Sequence, residues 1–214
     1  MKNNGHIRNF VFDLDETLYP PEIPVMKIVS DKINDYMNKF LHFEWQEIAN
    51  MRNFYKNHYG TTLYGLMKEF NINADEFLYY VHNINYKDIL KKDNELSDKL
   101  AQIKGELFIY TNASRNHAIN VLNYLGLIEH FKNIISIEDT NYIPKPTVSG
   151  FRKFIEKTGI NCSESILIDN SYVNLQTAKK SHMQTALVWD DCFINNKNFD
   201  YYLETIYSID KLLN

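Results

Sequence analysis

Asp13 and Asp15 stand one residue apart in Asp13-Leu14-Asp15-Glu16-Thr17, directly after a short apolar run. Two carboxylates this close repel unless a cation or a shared proton relieves them. Mg²⁺ is the natural cation for oxygen ligands. Alone, such a pair serves equally well as a surface turn or a helix cap. Three further groups change its weight. Thr111-Asn112-Ala113-Ser114 offers a hydroxyl and turn N–H groups that can hold an anion at a helix start. Lys145, before Pro146, can neutralise a phosphate or an aspartyl charge. Asp169-Asn170-Ser171 adds a third acid. Singly they read as a helix cap, a surface lysine and a turn former.

What binds them together is their place. FVF at 10–12, LFIY at 107–110, SILI at 165–168 and TALVW at 185–189 are nearly continuous apolar runs, and NIISI at 133–137 fits as a fifth. Unbroken rather than alternating runs are the pattern of strands buried on both faces of a parallel sheet. Between them, residues 115–125 carry apolar positions at 118, 119, 122 and 125 before Gly126, and residues 148–157 carry them at 148, 151, 154 and 155 before Gly159. Residues 175–180 make a shorter helical piece. This alternation predicts βαβ units and a sheet covered by helices. Asp13, Asp15, Thr111, Lys145 and Asp169 then gather at the carboxyl end of the sheet, where open α/β folds place ligands.

The segment between the first two strands breaks the alternation. Apolar residues at 29, 33, 36, 37 and 40 form one helical stripe; Trp45, Ile48, Phe54 and Tyr55 suggest another. Asn73-Ala74-Asp75-Glu76 has the form of a capping box. An insert of roughly 70 residues exceeds an ordinary βα connection. It reads as a small helical lid, dividing the chain into an α/β core of residues 1–20 and 93–214 and a cap of residues 21–92. An outer helical layer of one domain is the plainer alternative.

FDLDET, YTNAS, KP and LIDNS, in that order, resemble the four motifs of the haloacid dehalogenase-like superfamily across residues 8–190. The resemblance implies a doubly wound parallel sheet, a Rossmann-like core with a small helical cap inserted after the first strand, a bound Mg²⁺ and an aspartyl-phosphate intermediate. Carried onto these motifs, Asp13 is the nucleophile and Asp15 the general acid/base. Thr111 and Asn112 hold the transferred phosphoryl group, and Lys145 offsets charge between it and Asp13. Asp13 and Asp169 anchor the metal, with Asp15 contributing its backbone carbonyl.

A narrower resemblance, carried by FDLDETLYP, HYGTTLYGLM at 58–67 and YTNASRNHAINVLNYLGL, is to the pyrimidine 5′-nucleotidases. It implies a nucleoside 5′-monophosphate substrate, with Tyr59, Thr61 and Thr62 as candidate cap contacts. Helix capping by the threonines and cap packing by Tyr59 and Tyr64 are the plainer readings. Sugar-phosphate or lysophospholipid phosphatases and phosphomutases share the first motif, whereas dehalogenation needs neither Asp15 nor a metal. Two departures stand out. Relatives carry two acids where this chain has Asp169-Asn170, so Asn170 would ligate through oxygen or orient a metal-bound water, with weaker metal binding. That loss is the sole support for a non-catalytic binding protein on the same scaffold. His182 stands where relatives place Gly, which predicts a strained turn residue.

Composition sets the outer bounds. The 214 residues are 44% hydrophobic and 23% charged, ordinary for a folded protein, with a net charge of −4 that gives no support to a nucleic-acid or acidic-membrane surface. Cys162 and Cys192 are too few for a disulfide framework and suit a reducing cytosol. Asp13 and Asp15 interrupt the N-terminal apolar stretch before it could form a signal-peptide core, and no window reaches a membrane span. The expectation is a cytoplasmic enzyme acting on a small phosphomonoester.

Overall fold

The computed structural model describes residues 7–189 and 198–213; Cys192 and the first six residues lie outside them. β1 (Asn9–Phe12) leads into α1 (Val25–Leu41), α2 (Trp45–Tyr59), α3 (Thr62–Phe70), α4 (Ala74–Val81) and α5 (Asn94–Ala101) before β2 (Glu106–Tyr110). Strands and helices then alternate: α6 (Arg115–Leu125), β3 (Asn133–Ile135), α7 (Val148–Thr158), β4 (Ser165–Asp169), α8 (Tyr172–Lys180) and β5 (Gln184–Val188), with β6 (Tyr201–Leu203) at the end. All six strands run parallel in the order β3-β2-β1-β4-β5-β6. The chain winds outward from β1 to one side, then crosses to β4 and winds the other way. The switch point therefore lies between β1 and β4, with β2 on β1's other flank.

The central strands are apolar throughout because both faces are covered. Phe10 and Phe12 face one core with Ile109, Ile166, Ile168 and residues of α5 and α6. Val11, between them, faces the opposite core with Phe108, Tyr110, Leu167 and the α7 residues Phe151 and Phe154. Alternate residues of one strand thus feed two cores, and an unbroken apolar run results.

The inserted helices form a cap region with a core of its own, built on Val29, Met37, Ile48, Tyr55, Leu66 and Phe77. Asn73 caps α4 by accepting from the Asp75 and Glu76 main-chain amides, and its side-chain Nδ2, rather than the main-chain N–H of a capping box, donates to Glu76. Thr61 caps α3 by accepting from Tyr64 N at 3.1 Å. Helices α2 and α3 meet at Gly65, where an added Cβ would lie 2.4 Å from the Tyr55 ring and 2.7 Å from Tyr55 Cβ. Among the described residues, no helix is long and apolar enough to cross a membrane.

Several elements differ from the sequence expectation, and β3 ends at Ile135, two residues short of the NIISI run. The last apolar run stops at Val188, and Trp189 turns out of the sheet at φ 65° so that its indole N–H donates to Thr17 O. β6 was not expected, since only Leu203 of its three residues is buried. α8 begins at Tyr172, immediately after the Asp169 turn. His182 adopts φ 65°, the left-handed turn conformation foreseen for it. Gly65→Ala should destabilise the protein by about 1–3 kcal/mol through overpacking against Tyr55; an unchanged urea midpoint would contradict the close approach.

Candidate active site

The carboxyl ends of β1, β2 and β4 are tied together by one buried ammonium. Lys145 is 1% exposed. Its Nζ donates to Asp13 Oδ1 at 2.7 Å, to Asp169 Oδ2 at 3.0 Å and to Tyr110 O at 2.8 Å. Three protons meet three acceptors, one from the end of each strand. The lysine is placed by its own main chain: Lys145 N donates to Asn112 Oδ1, and Asn112 Nδ2 donates back to Lys145 O. Asn112, expected as a phosphate ligand, thus has its amide engaged in fixing the Lys145 loop, although it also lines the cavity.

Asp13 also accepts from Thr17 Oγ1 at 3.2 Å. Burial pushes its carboxyl above the usual range; Lys145 opposes that shift and Asp169 adds to it. Lys145 is held above its ordinary value because Asp13 and Asp169 outweigh its burial. Asp169 is fully buried and further bonded by Ser171 N and by Asn174 Nδ2 from α8. Thr111 Oγ1 accepts from Ala113 N. Asn170 donates its main-chain N–H to Thr17 Oγ1 and lines the same cavity.

Asp15 faces a different set of partners. Its Oδ1 accepts from Tyr19 OH at 2.7 Å and is 2.8 Å from His117 Nε2. Burial would raise its pKa, but His117 and Tyr19 outweigh it and hold the carboxyl below its usual value. His117 is itself fully buried, with Nδ1 2.8 Å from Tyr86 OH. His82, at the end of α4, packs its ring against that of His117 with centroids 4.3 Å apart and planes tilted by 38°, and bonds Ser114 Oγ, the N-cap of α6. None of Tyr19, His82, Tyr86 or His117 was picked out from the sequence. The available signal was His117's place in the first turn of α6, which starts at a strand's carboxyl end.

Asp13, Asp15, Thr111 and Lys145 line a cavity of about 650 Å³ whose roof is the cap. Thr61 and Thr62 line it too, together with Arg52 and Lys56 from α2. Tyr59 does not: its hydroxyl donates to Glu69 on α3. Among the described residues, no three His, Cys, Asp or Glu side chains are grouped as metal ligands. The expected ligand set offers only two acidic side chains, Asp13 and Asp169, because Asn170 follows Asp169 and the Asp15 carboxylate is turned to Tyr19 and His117. A cation site here would use the Asp13 and Asp169 carboxylates with the Asp15 carbonyl. The chemistry of that set fits Mg²⁺: all donors are hard oxygens, and two buried acids share a single fixed cation.

A doubly wound parallel sheet with acids at its switch point, roofed by helices inserted after the first strand, defines a capped α/β enzyme of the hydrolase type. The sequence profile of the haloacid dehalogenase-like hydrolases matches residues 10–188, and the chain belongs to that family. It is 26% identical over 186 residues to Phosphate metabolism protein 8 of Saccharomyces cerevisiae, a match covering 79% of this chain and 57% of that protein. The chain thus spans little more than half that relative's length. Its fold is similar to that of a HAD phosphatase from Thermococcus onnurineus, with TM-score 0.66, 20% identity and coverage of 97% of this chain and 98% of that one. It is also similar to the HAD-hydrolase YfnB from Bacillus subtilis, solved bound to magnesium, with TM-score 0.65, 16% identity and coverage of 98% and 99%. At these identities the likeness is one of fold.

Removing the shared ammonium leaves Asp13 and Asp169 buried and uncompensated. Lys145→Met should cost about 3–5 kcal/mol of stability in EDTA at neutral pH. Urea unfolding measures it, and a loss under 1 kcal/mol would show that the three strand ends do not rely on this contact.

Proposed function

We propose that this chain is a Mg²⁺-dependent phosphomonoester hydrolase in which Asp13 is transiently phosphorylated. The observation that carries the reading is the Asp13 carboxylate on the cavity floor, oriented by Lys145 and Thr17, with Asp15 held separately two residues on. One acid is fixed for attack and the other for proton transfer, the division that two-step displacement requires.

In the first half, an Asp13 oxygen attacks phosphorus in line, the bond from phosphorus to the leaving oxygen breaks, and Asp15 delivers a proton to that oxygen. In the second half, Asp15 takes a proton from water, which attacks the acyl phosphate and regenerates Asp13. Held low by His117 and Tyr19, Asp15 rests in the accepting form. The proton it needs in the first half is favoured by the dianionic phosphate beside it, which raises a carboxyl's pKa. Lys145 and the Thr111 hydroxyl meet charge on the equatorial oxygens. Mg²⁺, held by Asp13, Asp169 and the Asp15 carbonyl, would supply further charge neutralisation, and Asn170 in place of a second acid would weaken its binding.

The finer reading is a nucleoside 5′-monophosphate substrate, pyrimidine in particular. It is supported by the motif resemblance and by the Gly60-Thr61-Thr62 turn on the wall of a cavity roomy enough for a nucleoside. Residues 21–92 would act as a lid on a core of residues 1–20 and 93–214, excluding water and reading the alcohol half.

Phosphate release with Mg²⁺ should be measured on CMP, UMP, AMP, GMP, sugar phosphates and lysophosphatidate. We expect CMP and UMP to be preferred and Asp13→Asn to lower kcat by about 10⁴-fold or more. EDTA should abolish turnover. Substantial turnover by Asp13→Asn would sink the nucleophile assignment, while a preference for sugar phosphates would remove only the nucleotide reading. Asp15→Asn should slow alkyl phosphates far more than nitrophenyl phosphate, whose leaving group needs little protonation; equal losses would exclude the general-acid role.

A further inference from the structure

The Asp15 carboxylate lines the cavity, with its side chain 13% exposed. Both of its hydrogen-bonding partners fall on one oxygen. Tyr19 OH, four residues on in the chain, donates to Oδ1 at 2.7 Å, and His117 Nε2 lies 2.8 Å from the same atom. Among the described residues, no hydrogen bond reaches Oδ2. A carboxylate turns readily about its last bond, because the χ2 well of an aspartate is broad and two-fold. Two partners on one oxygen remove that freedom and decide which oxygen is left for the cavity.

The partners are themselves fixed. Tyr19 is buried in the core beneath the first strand's end. His117 is fully buried in the first turn of α6. Its Nδ1 lies 2.8 Å from Tyr86 OH, which donates to His82 O at 3.1 Å. The His82 ring packs against the imidazole, and the Tyr86 ring meets it edge-on with centroids 5.6 Å apart. Ser114 Oγ bonds His82 Nδ1 and also accepts from His117 N at 3.2 Å. Both ring nitrogens and the main chain of His117 are therefore engaged, and one residue at the end of the cap, His82, takes part in most of these contacts. Any buried histidine needs partners for its nitrogens. What sets this one apart is that its Nε2 partner is the cavity acid, on the oxygen that Tyr19 also holds.

We infer that His117 and Tyr19 are positioning residues for proton transfer: by holding Asp15 Oδ1 they leave Oδ2 to face the leaving oxygen, and His82 keeps His117 in place. The inference rests on the phosphomonoesterase reading for what Asp15 does. In the first half of that reaction the proton on Oδ2 passes to the leaving oxygen as its bond to phosphorus breaks. In the second, Oδ2 takes a proton from the attacking water. His117 and Tyr19 exchange no proton in either half; they set direction and distance. Misplacing a reacting group by about 1 Å can cost on the order of 10²-fold in rate. Esters with poorly activated leaving groups suffer most, since they depend on the proton.

The test measures kcat and KM for phosphate release by the full chain with Mg²⁺. UMP and glycerol phosphate supply alkoxide leaving groups, and nitrophenyl phosphate supplies an activated one. His117→Leu should lower kcat on the two alkyl esters about 10-fold or more relative to nitrophenyl phosphate, with KM changed less than about 3-fold. His117→Gln, which keeps an N–H within reach of Oδ1, should recover most of that loss. Tyr19→Phe removes only a hydroxyl from a packed ring and should show the same selectivity, several-fold, so the clamp is still read if His117→Leu does not fold. The double variant separates positioning from packing. In an Asp15→Asn background, His117→Leu should cost less than about 2-fold more on the alkyl esters, because an acid that is gone cannot be misplaced. Equal losses on all three esters, losses that multiply with that of Asp15→Asn, or unchanged kinetics in both His117→Leu and Tyr19→Phe would overturn the inference and leave the hydrolase reading standing. A wild-type protein that hydrolyses nitrophenyl phosphate alone overturns it too, since no proton transfer then needs positioning. Silence of the wild-type protein on every ester overturns the hydrolase reading and this inference together.

Discussion

The contact on which the rest of the site depends is the Lys145 ammonium at the centre of the sheet's carboxyl edge. Each of its bonds reaches a different strand, so one cation sets the spacing of Asp13, Tyr110 O and Asp169. Burying a lysine is unfavourable on its own, and it is tolerated here because two acids and a carbonyl surround it. The converse also holds: the acids could not be packed at a switch point without it. The loop bearing Lys145 is therefore clamped twice by Asn112, which makes the turn after β2 a structural partner of the loop before α7.

A second network links the cap to this centre along one side of the cavity. His82 closes α4, the last cap helix, and joins Ser114 and His117 at the start of α6. His117 in turn meets Asp15. The cap's final helix is thus coupled to the carboxylate proposed for proton transfer, and it shares the cavity's roof with α1, α2 and α3.

The core was legible because parallel strands with two covered faces leave an unmistakable trace. β1, β2 and β4 each hold a short, unbroken apolar run that ends at a polar residue of the site, Asp13, Thr111 or Asp169. Asn73 and Thr61 were legible as caps because capping is a local interaction. β6 was not, since an edge strand with one buried residue has no pattern to show. His117 and Arg52 escaped for a different reason. Each occupies an ordinary helical position, and its significance comes from which distant segment lies opposite: Asp15 lies 102 residues from His117, and Arg52 reaches α1. Tyr59 shows the reverse error, a residue prominent in a motif whose hydroxyl is taken by Glu69.

The distribution of charge across the cavity ties these strands of argument together. The floor holds Asp13, Asp15 and Glu16 against Lys145, and burial with the neighbouring Asp15 raises the Glu16 pKa despite the opposing Lys56. The roof holds Lys27, Arg52 and Lys56, with Asp31 of α1 paired to Lys27 and acting on Arg52. Under the proposed function, a phosphate dianion on such a floor would meet Lys145 and Thr111 among acids whose charge a divalent cation would offset. Asn170 fits this balance. Under the proposed function, an asparagine there leaves the floor one negative charge lighter, which would ease the approach of a dianion and weaken the hold on Mg²⁺. With less affinity invested in a metal, more of a substrate's orientation would have to come from the cap that roofs the cavity.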